Sequence, residues 1–412
     1  VALEVGDVVC HEDFGLGVLV GLVGSEADEE EVLQIKYEDA VVRLSVGSLH
    51  KLSFVSRENT NTITLNSLSK KGVWVRQKNK IKGFAENKTR ELVDFYVNKK
   101  DVYRAPYVSG GELEKEFLGA FEYEDTVDQG VVWKEIVGDL EKDVPMYRLL
   151  CGDVGFGKTE LAIRAAFRVV VNGGRVLVLA PTSVLVRQHF EVFNERLGSF
   201  GVSVGYYVGS LLETKKVSIK SGWVGGEIDV LIGTSAVFYD AVFIRYASFF
   251  IIDEEHRFGV KDKEGIFEGG VNKDVLLMSA TPIPRSLSLG LSGVNTISTL
   301  NSPPVLRRPI QTFISYFDDS LVARAIEFEL ARGGQVFFVH NNIESILSIK
   351  NYLARLVPMA SVVVAHSKVN RKQLEGDMLC FVEGKVDILL CTSIIGSGID
   401  IPNANTIIVN RS

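Results

Sequence analysis

The first sixty residues set short apolar runs between glycines. Val5–His11, Leu16–Val23, Val32–Tyr37, Val41–Val46 and Lys51–Val55 are broken by Gly15, Gly17, Gly24 and Gly47, the spacing of short strands joined by turns. A small all-β barrel is expected over residues 1–57. From Val73 to Tyr103 the period lengthens: Trp74, Ile81, Ala85, Leu92, Phe95 and Tyr96 recur at helical intervals among lysines and arginines. This predicts a basic connecting helix and linker over 58–110. Beyond Gly110, near-continuous apolar runs alternate with helical stretches. Tyr147–Cys151, Arg175–Ala180, Val202–Val208, Asp229–Ile232, Phe249–Ile252 and Val275–Met278 form one series; Ile310–Ile314, Gln335–His340, Ser361–Ala365, Asp387–Cys391 and Thr406–Val409 form a second. Strands without polar alternation are buried on both faces, so each series predicts a parallel sheet covered by helices. Pro303, Pro304 and Pro309 mark a linker over Leu300–Pro309. The expected class is α/β, with two parallel-sheet domains in tandem at 111–300 and 301–412.

Composition leaves this picture intact. A chain of 412 residues that is 46% apolar and 24% charged is that of folded domains, not of disorder. Cys10, Cys151, Cys380 and Cys391 show no C-x-x-C spacing, which argues against a zinc site or disulfide framework and for reduced thiols. No apolar run approaches the roughly 20 residues that span a bilayer, and the acids within Val1–Asp13 do not suit a signal peptide. A cytoplasmic protein with no membrane partner is expected, and the start at Val1 suits a piece of a longer chain.

Charge does change the picture. The net charge of -7 speaks against a phosphate partner, but it hides an asymmetry. Residues 1–60 carry acids at Glu4, Asp7, Glu12, Asp13, Glu26, Asp28, Glu29, Glu30, Glu31, Glu38, Asp39 and Glu58 against Lys36, Arg43, Lys51 and Arg57, whereas the segment 70–104 is basic. The acidic module suits a protein partner better than DNA, because each glutamate repels phosphate; a structural barrel with a solvated loop at Ser25–Glu31 is the alternative. The basic helix has two readings as well, a phosphate contact or a solvated surface.

The chemistry is concentrated in the first α/β domain. Gly152-Asp153-Val154-Gly155-Phe156-Gly157-Lys158-Thr159 matches G-x-x-x-x-G-K-[ST] at every fixed position, between an expected strand and an expected helix. Backbone amides of such a loop curl around phosphate, Lys158 reaches the outer phosphates, and Thr159 offers a hydroxyl to Mg²⁺. Phe249–Ile252 runs into Asp253, Glu254, Glu255 and His256. Asp253 stands to hold the metal through water and Glu254 to orient or deprotonate the attacking water, with His256 sensing the nucleotide. Gln129, after Phe121–Asp128, has a two-sided amide that can read an adenine edge, while Thr126 also fits a helix cap. Pro181-Thr182 with Arg187, Gln188 and His189, Gly233-Thr234-Ser235, and Ser279-Ala280-Thr281-Pro282 sit at strand ends. Hydroxyls and an arginine there suit contacts that track a nucleic-acid backbone without reading sequence; turn chemistry is the alternative.

The order of Gln129, the P-loop, Thr182, Asp253–His256, Ser279–Thr281 and Thr392 with Gly398 and Asp400 resembles superfamily-two helicases. Cys151–Glu160, Asp253–Gly259, Ala280–Arg285 and the opening Gly6–Gly17 are similar to the bacterial transcription-repair coupling factor, over the full length. RecG-type branch-migration helicases share much of the motor but typically have glutamine at the position of Glu255 and a different N-terminal module. The resemblance implies RecA-like folds for both α/β domains and a Tudor/SH3-like fold for the barrel. It implies an ATP- and Mg²⁺-dependent double-stranded DNA translocase that grips stalled RNA polymerase through the barrel and couples transcription to excision repair. It also implies a role for Glu160 in the ATP site, DNA contact or coupling by Thr182, Arg187, Gln188, Thr234, Ser279, Thr281, Thr392, Gly398 and Asp400, and excision-repair partners bound by a family region absent here. Two departures stand out: Gly396 replaces a glutamate of the family, and Ser235 a frequent histidine. The chain also stops at Ser412, before the arginine-rich last motif, whose finger is worth about 10³ to 10⁵ in turnover, so ATP binding with poor hydrolysis is expected. The alternatives are a turnover-deficient adaptor and a RecG-type fork helicase. The strand near Leu16–Leu22, read as an exposed edge, is the expected polymerase contact.

Overall fold

The computed structural model describes residues 4–24, 31–45, 47, 51–56, 65–69, 74, 76, 103–254, 257–258, 273–280, 296–304, 310–392, 398 and 400–411. The chain divides into two units, Val1–Val97 and Asn98–Ser412. The helix expected over Val73–Tyr103 falls largely outside the described residues.

In the first unit the apolar runs become five antiparallel strands, β1 (Val8–His11), β2 (Gly15–Gly24), β3 (Glu31–Lys36), β4 (Val41–Ser45) and β5 (Leu52–Ser56), in the order β4-β3-β2-β1-β5. Val9, Leu19, Leu33, Ile35 and Tyr37 fill its core. A Cβ at Gly17 would lie 2.6 Å from Ile35 Cγ2 of the neighbouring strand β3, a close approach that glycine permits. One expectation is corrected here. β2 pairs with β1 over Gly15–Val18 and with β3 over Val18–Gly24; Leu19 is buried and Val20 is 43% exposed, so only the part of Leu16–Leu22 beyond Leu19 has a side without a partner strand among the described residues. The sheet ends at β4 and β5, which are not paired with each other among the described residues.

The second unit holds two parallel sheets. The first lobe runs through α1 (Glu112–Gly119), α2 (Val127–Leu140), β6 (Tyr147–Gly152), α3 (Lys158–Val171), β7 (Val176–Leu179), α4 (Ser183–Gly198), β8 (Val204–Tyr207), α5 (Glu213–Gly225), β9 (Val230–Gly233), α6 (Ala241–Tyr246), β10 (Phe249–Asp253), β11 (Asp274–Ser279) and β12 (Thr296–Leu300). Its order is β12-β6-β11-β10-β7-β9-β8, and every recorded pairing is parallel. The second lobe runs through α7 (Asp319–Ala331), β13 (Val336–His340), α8 (Ile346–Leu356), β14 (Val362–Ala365), α9 (Arg371–Val382), β15 (Ile388–Cys391) and β16 (Thr406–Arg411), with the order β14-β15-β13-β16. Strands β7, β9, β10 and β11 are buried along their whole length, as strands covered on both faces must be. Buried charge locks the floor of the first sheet: Asp274, wholly inaccessible, accepts from Arg104 Nε (2.7 Å) and Nη2 (2.8 Å) and from the Met146 amide (2.6 Å).

Two elements differ from expectation. β12 was not anticipated, because Thr296–Leu300 alternates and only Ser298 and Leu300 are buried, the pattern of an edge strand. Ile310–Ile314, expected as a strand, joins no sheet among the described residues. Ile310, Phe313 and Ile314 are 86%, 86% and 96% exposed, and a segment without a neighbouring strand has no ladder to join.

Candidate functional site

β6, β11 and β10 lie side by side, and in register Cys151 faces Ser279 while Met278 faces Asp253. Their carboxyl ends therefore bring the loop after β6, Ser279 and Asp253 into one row, where open α/β sheets bind ligands. The loop turns through Gly155 and Gly157 at φ 79° and 84°, values only glycine adopts freely, and hands over to α3 at Lys158. Lys158 Nζ donates to Gly152 O (2.6 Å) and Asp153 O (3.0 Å). Burial holds its ammonium below the usual lysine range, and Asp253, Glu254 and Asp153 pull it part of the way back. Val154 donates its amide to Asp153 Oδ1 (2.8 Å) and stands exposed at the loop tip.

Gln129 is built into this loop. Thr126 and Gln129 form a reciprocal capping box at the start of α2: Gln129 Oε1 accepts from the Thr126 amide (2.8 Å) and Nε2 donates to Phe156 O (2.9 Å). Both ends of the amide are thus engaged within the protein, and the side chain braces the P-loop. Glu160 takes part in an ionic cluster, accepting from Arg164 Nε (2.9 Å) and Arg196 Nη2 (2.8 Å), which ties α3 to α4.

Glu254 is buried and has φ 49°, the one left-handed non-glycine among the described residues. Such a conformation costs of order 1–3 kcal/mol and persists at functional sites where the surroundings over-determine it. A Cβ placed on Gly398 of the second lobe would lie 3.9 Å from Glu254 Oε1, so the two lobes meet at this carboxylate. Asp253 Oδ2 lies 2.9 Å from His189 Nε2 in a buried contact. Sequence reasoning grouped His189 with surface contacts; its partner is 64 residues away, and no local spacing signals that.

The remaining expected residues fall in three settings. Thr182 caps α4 by accepting from the Leu185 amide (3.3 Å), and Thr234 accepts from the Ala236 amide (3.4 Å). Thr234, Ser279 and Thr392 are buried, so their side chains offer no surface to a duplex in this arrangement. Arg187 is exposed on α4. Its neighbour Gln188 bridges the lobes, Nε2 donating to Asp400 O and Oε1 accepting from the Asp400 amide (3.4 Å). Val184, also on α4, packs among Ala365, Met378, Phe381, Leu389, Cys391 and Ile401 of the second lobe. Glu255, His256, Thr281 and Gly396 lie outside the described residues.

The donor set fits Mg²⁺, a hard cation that takes oxygen ligands and keeps several waters. Thr159 is the second residue of α3, Asp253 ends β10, and Asp253 Oδ1 and the Thr159 hydroxyl make no hydrogen bond among the described residues.

Comparison with known proteins agrees with this geometry. The DEAD/DEAH box helicase family matches residues 126–289 and the helicase conserved C-terminal domain matches 319–411. The chain is 40% identical over 414 residues to the transcription-repair-coupling factor of Myxococcus xanthus, covering 100% of this chain and 34% of that protein. It is 38% identical over 413 residues to a chloroplastic ATP-dependent DNA helicase of Arabidopsis thaliana, covering 98% and 50%. The chain thus spans about a third of the length of the coupling factors it matches. Among solved structures, RecG bound to a three-way DNA junction superposes with a TM-score of 0.64 at 26% identity, over 95% of this chain and 66% of that one. No helix among the described residues is long and apolar enough to cross a membrane. The P-loop, the Asp253–Glu254 strand end and two RecA-like lobes in this order place the chain in the superfamily-two helicases, and along its whole length it is similar to their transcription-repair-coupling factors.

Proposed function

We propose that this chain is the ATP-driven core of a double-stranded DNA translocase, with its N-terminal sheet contacting RNA polymerase and its working context the coupling of transcription to excision repair. The observation that carries the motor reading is the convergence of Lys158, Asp253 and Glu254 on one sheet edge with Gly398 of the other lobe beside Glu254. ATP would lie along the Gly155–Thr159 amides, at the positive end of α3. Lys158 exchanges the carbonyls of Gly152 and Asp153 for the outer phosphates. Thr159 and Asp253 would hold Mg²⁺, which would supply positive charge against the outer phosphates. Glu254, fixed by its strained backbone, orients the attacking water and takes up its proton. Because the second lobe abuts Glu254, the state of the nucleotide and the spacing of the lobes are linked, and DNA held across both lobes senses that spacing.

Reciprocal linkage gives the test. Affinity for a fluorescent ATP analogue with Mg²⁺ is measured with and without duplex DNA, for the wild type and for Lys158→Ala. Duplex DNA should change the nucleotide affinity of the wild type, and Lys158→Ala should abolish nucleotide binding. Nucleotide affinity indifferent to duplex DNA would refute the motor. Co-purification with RNA polymerase, lost on deletion of residues 1–57, tests the partner separately.

A further inference from the structure

His189 is the one imidazole in contact with the nucleotide-site carboxylates among the described residues. It projects from the second turn of α4, is 8% exposed, and places Nε2 2.9 Å from Asp253 Oδ2. An ionised carboxylate only accepts hydrogen bonds, so Nε2 carries the proton and donates. Phe193, one turn further along α4 and fully buried, meets the imidazole edge-on, with centroids 6.3 Å apart and planes at 88°, which fixes the plane of the ring. α4 is itself anchored by the Thr182 cap and by buried Leu185, Val186 and Leu197. Asp253 Oδ2 is therefore held by a rigid donor, and Oδ1 is the oxygen with no hydrogen bond among the described residues.

We propose that His189 is a positioning residue for the reaction: its Nε2–H fixes the Asp253 carboxylate in the orientation that serves Mg²⁺. The inference rests on Asp253 being the metal-side carboxylate of the nucleotide site. A hydrogen bond to a ligating carboxylate sets its direction before the metal arrives, and loss of such an outer contact costs about 10- to 100-fold in metal affinity. A histidine that merely filled space beside β10 would have no such selective effect.

The experiment uses three variants of the chain, His189→Leu, His189→Gln and Asp253→Asn, each first checked for an unchanged thermal transition. Binding of a fluorescent ADP is measured in EDTA, and the affinity of the nucleotide complex for Mn²⁺, standing in for Mg²⁺, is measured by electron paramagnetic resonance. His189→Leu should bind ADP normally in EDTA but hold Mn²⁺ about 10- to 100-fold more weakly. His189→Gln, whose amide can donate in the same direction, should recover most of that loss. Wild-type Mn²⁺ affinity in His189→Leu overturns the proposal, and so does an equal loss of ADP binding in EDTA, which marks a purely structural role. If His189→Leu is too unstable to measure, His189→Ala takes its place: weaker Mn²⁺ binding with normal ADP binding in EDTA supports the proposal, and wild-type Mn²⁺ affinity, or an equal loss of ADP binding, overturns it. Wild-type Mn²⁺ affinity in Asp253→Asn shows instead that the metal reading of Asp253 is itself wrong, and the proposal falls with it.

Discussion

Gln188→Ala should loosen the two lobes, and the size of the effect follows from the contact. The side chain makes two neutral hydrogen bonds to the backbone of Asp400, each worth a net 0.5–1.5 kcal/mol or so. Asp400 is exposed, so water replaces part of what is lost, and the lower half of the range applies: about 1–2 kcal/mol, or a 5- to 30-fold fall in the closed-to-open ratio. A roughly nine-to-one closed population would drop to about 25–65% closed. Single-molecule energy transfer between dyes on Tyr239→Cys and Met359→Cys, both strongly exposed and on opposite lobes, reads this directly. Cys10 and Cys380 must be replaced first, whereas Cys151 and Cys391 are buried, and burial pushes the Cys391 thiol up to about 12. The measurement is made without DNA, so loss of a DNA contact by Gln188 cannot mimic the result. An unchanged transfer distribution would refute the claim that this contact holds the lobes together.

Gly157→Ala should abolish nucleotide binding without unfolding the chain, because the new Cβ would sit 2.2 Å from Gln129 Nε2 on a backbone at φ 84°; nucleotide affinity within about twofold of wild type, scored against P-loop geometry, would contradict this. Arg104→Ala strands the inaccessible Asp274 carboxylate and should destabilise the second unit by about 3–5 kcal/mol, measured by urea unfolding and contradicted by a loss under about 1 kcal/mol. Burial raises the Glu114 carboxyl, but the Arg168 guanidinium, the Gly110 amide and the Ser109 hydroxyl outweigh it and hold the group below its ordinary 4.5. A depressed carboxylate stabilises above the unfolded value and loses that contribution as pH falls through the folded one. Unfolding free energy should therefore fall steeply below about pH 4.5 in the wild type and less steeply in Glu114→Gln, and parallel curves would exclude Glu114 as a source.

The sequence made the nucleotide site legible because its signals are local. The P-loop spacing and the apolar run into Asp253 each lie within one strand and its following turn, and burial of β6 and β10 follows from the absence of polar alternation. What escaped reading depends on tertiary neighbours. The bond from Gln129 to Phe156 O joins residues whose contact no local spacing announces. β2 resembled an edge along Leu16–Leu22, whereas β1 pairs with its first half, and Ile310–Ile314 had strand composition without a partner strand. His189 and Gln188 are adjacent in sequence, yet one faces β10 and the other the second lobe, a divergence that helical geometry produces and no composition reveals.

β12 carries a mechanical consequence. The tether to the second lobe begins where this strand ends, at Leu300, which pairs in register with Gly152; a Cβ on Gly152 would come 2.9 Å from Leu300 Cβ. Asp128 Oδ2 then clasps the next two amides, those of Asn301 and Ser302, beside the brace residue Gln129. A swing of the far lobe would thus tug on the same hem of backbone that, in the proposed reading, frames the triphosphate, so the hinge and the P-loop share one seam.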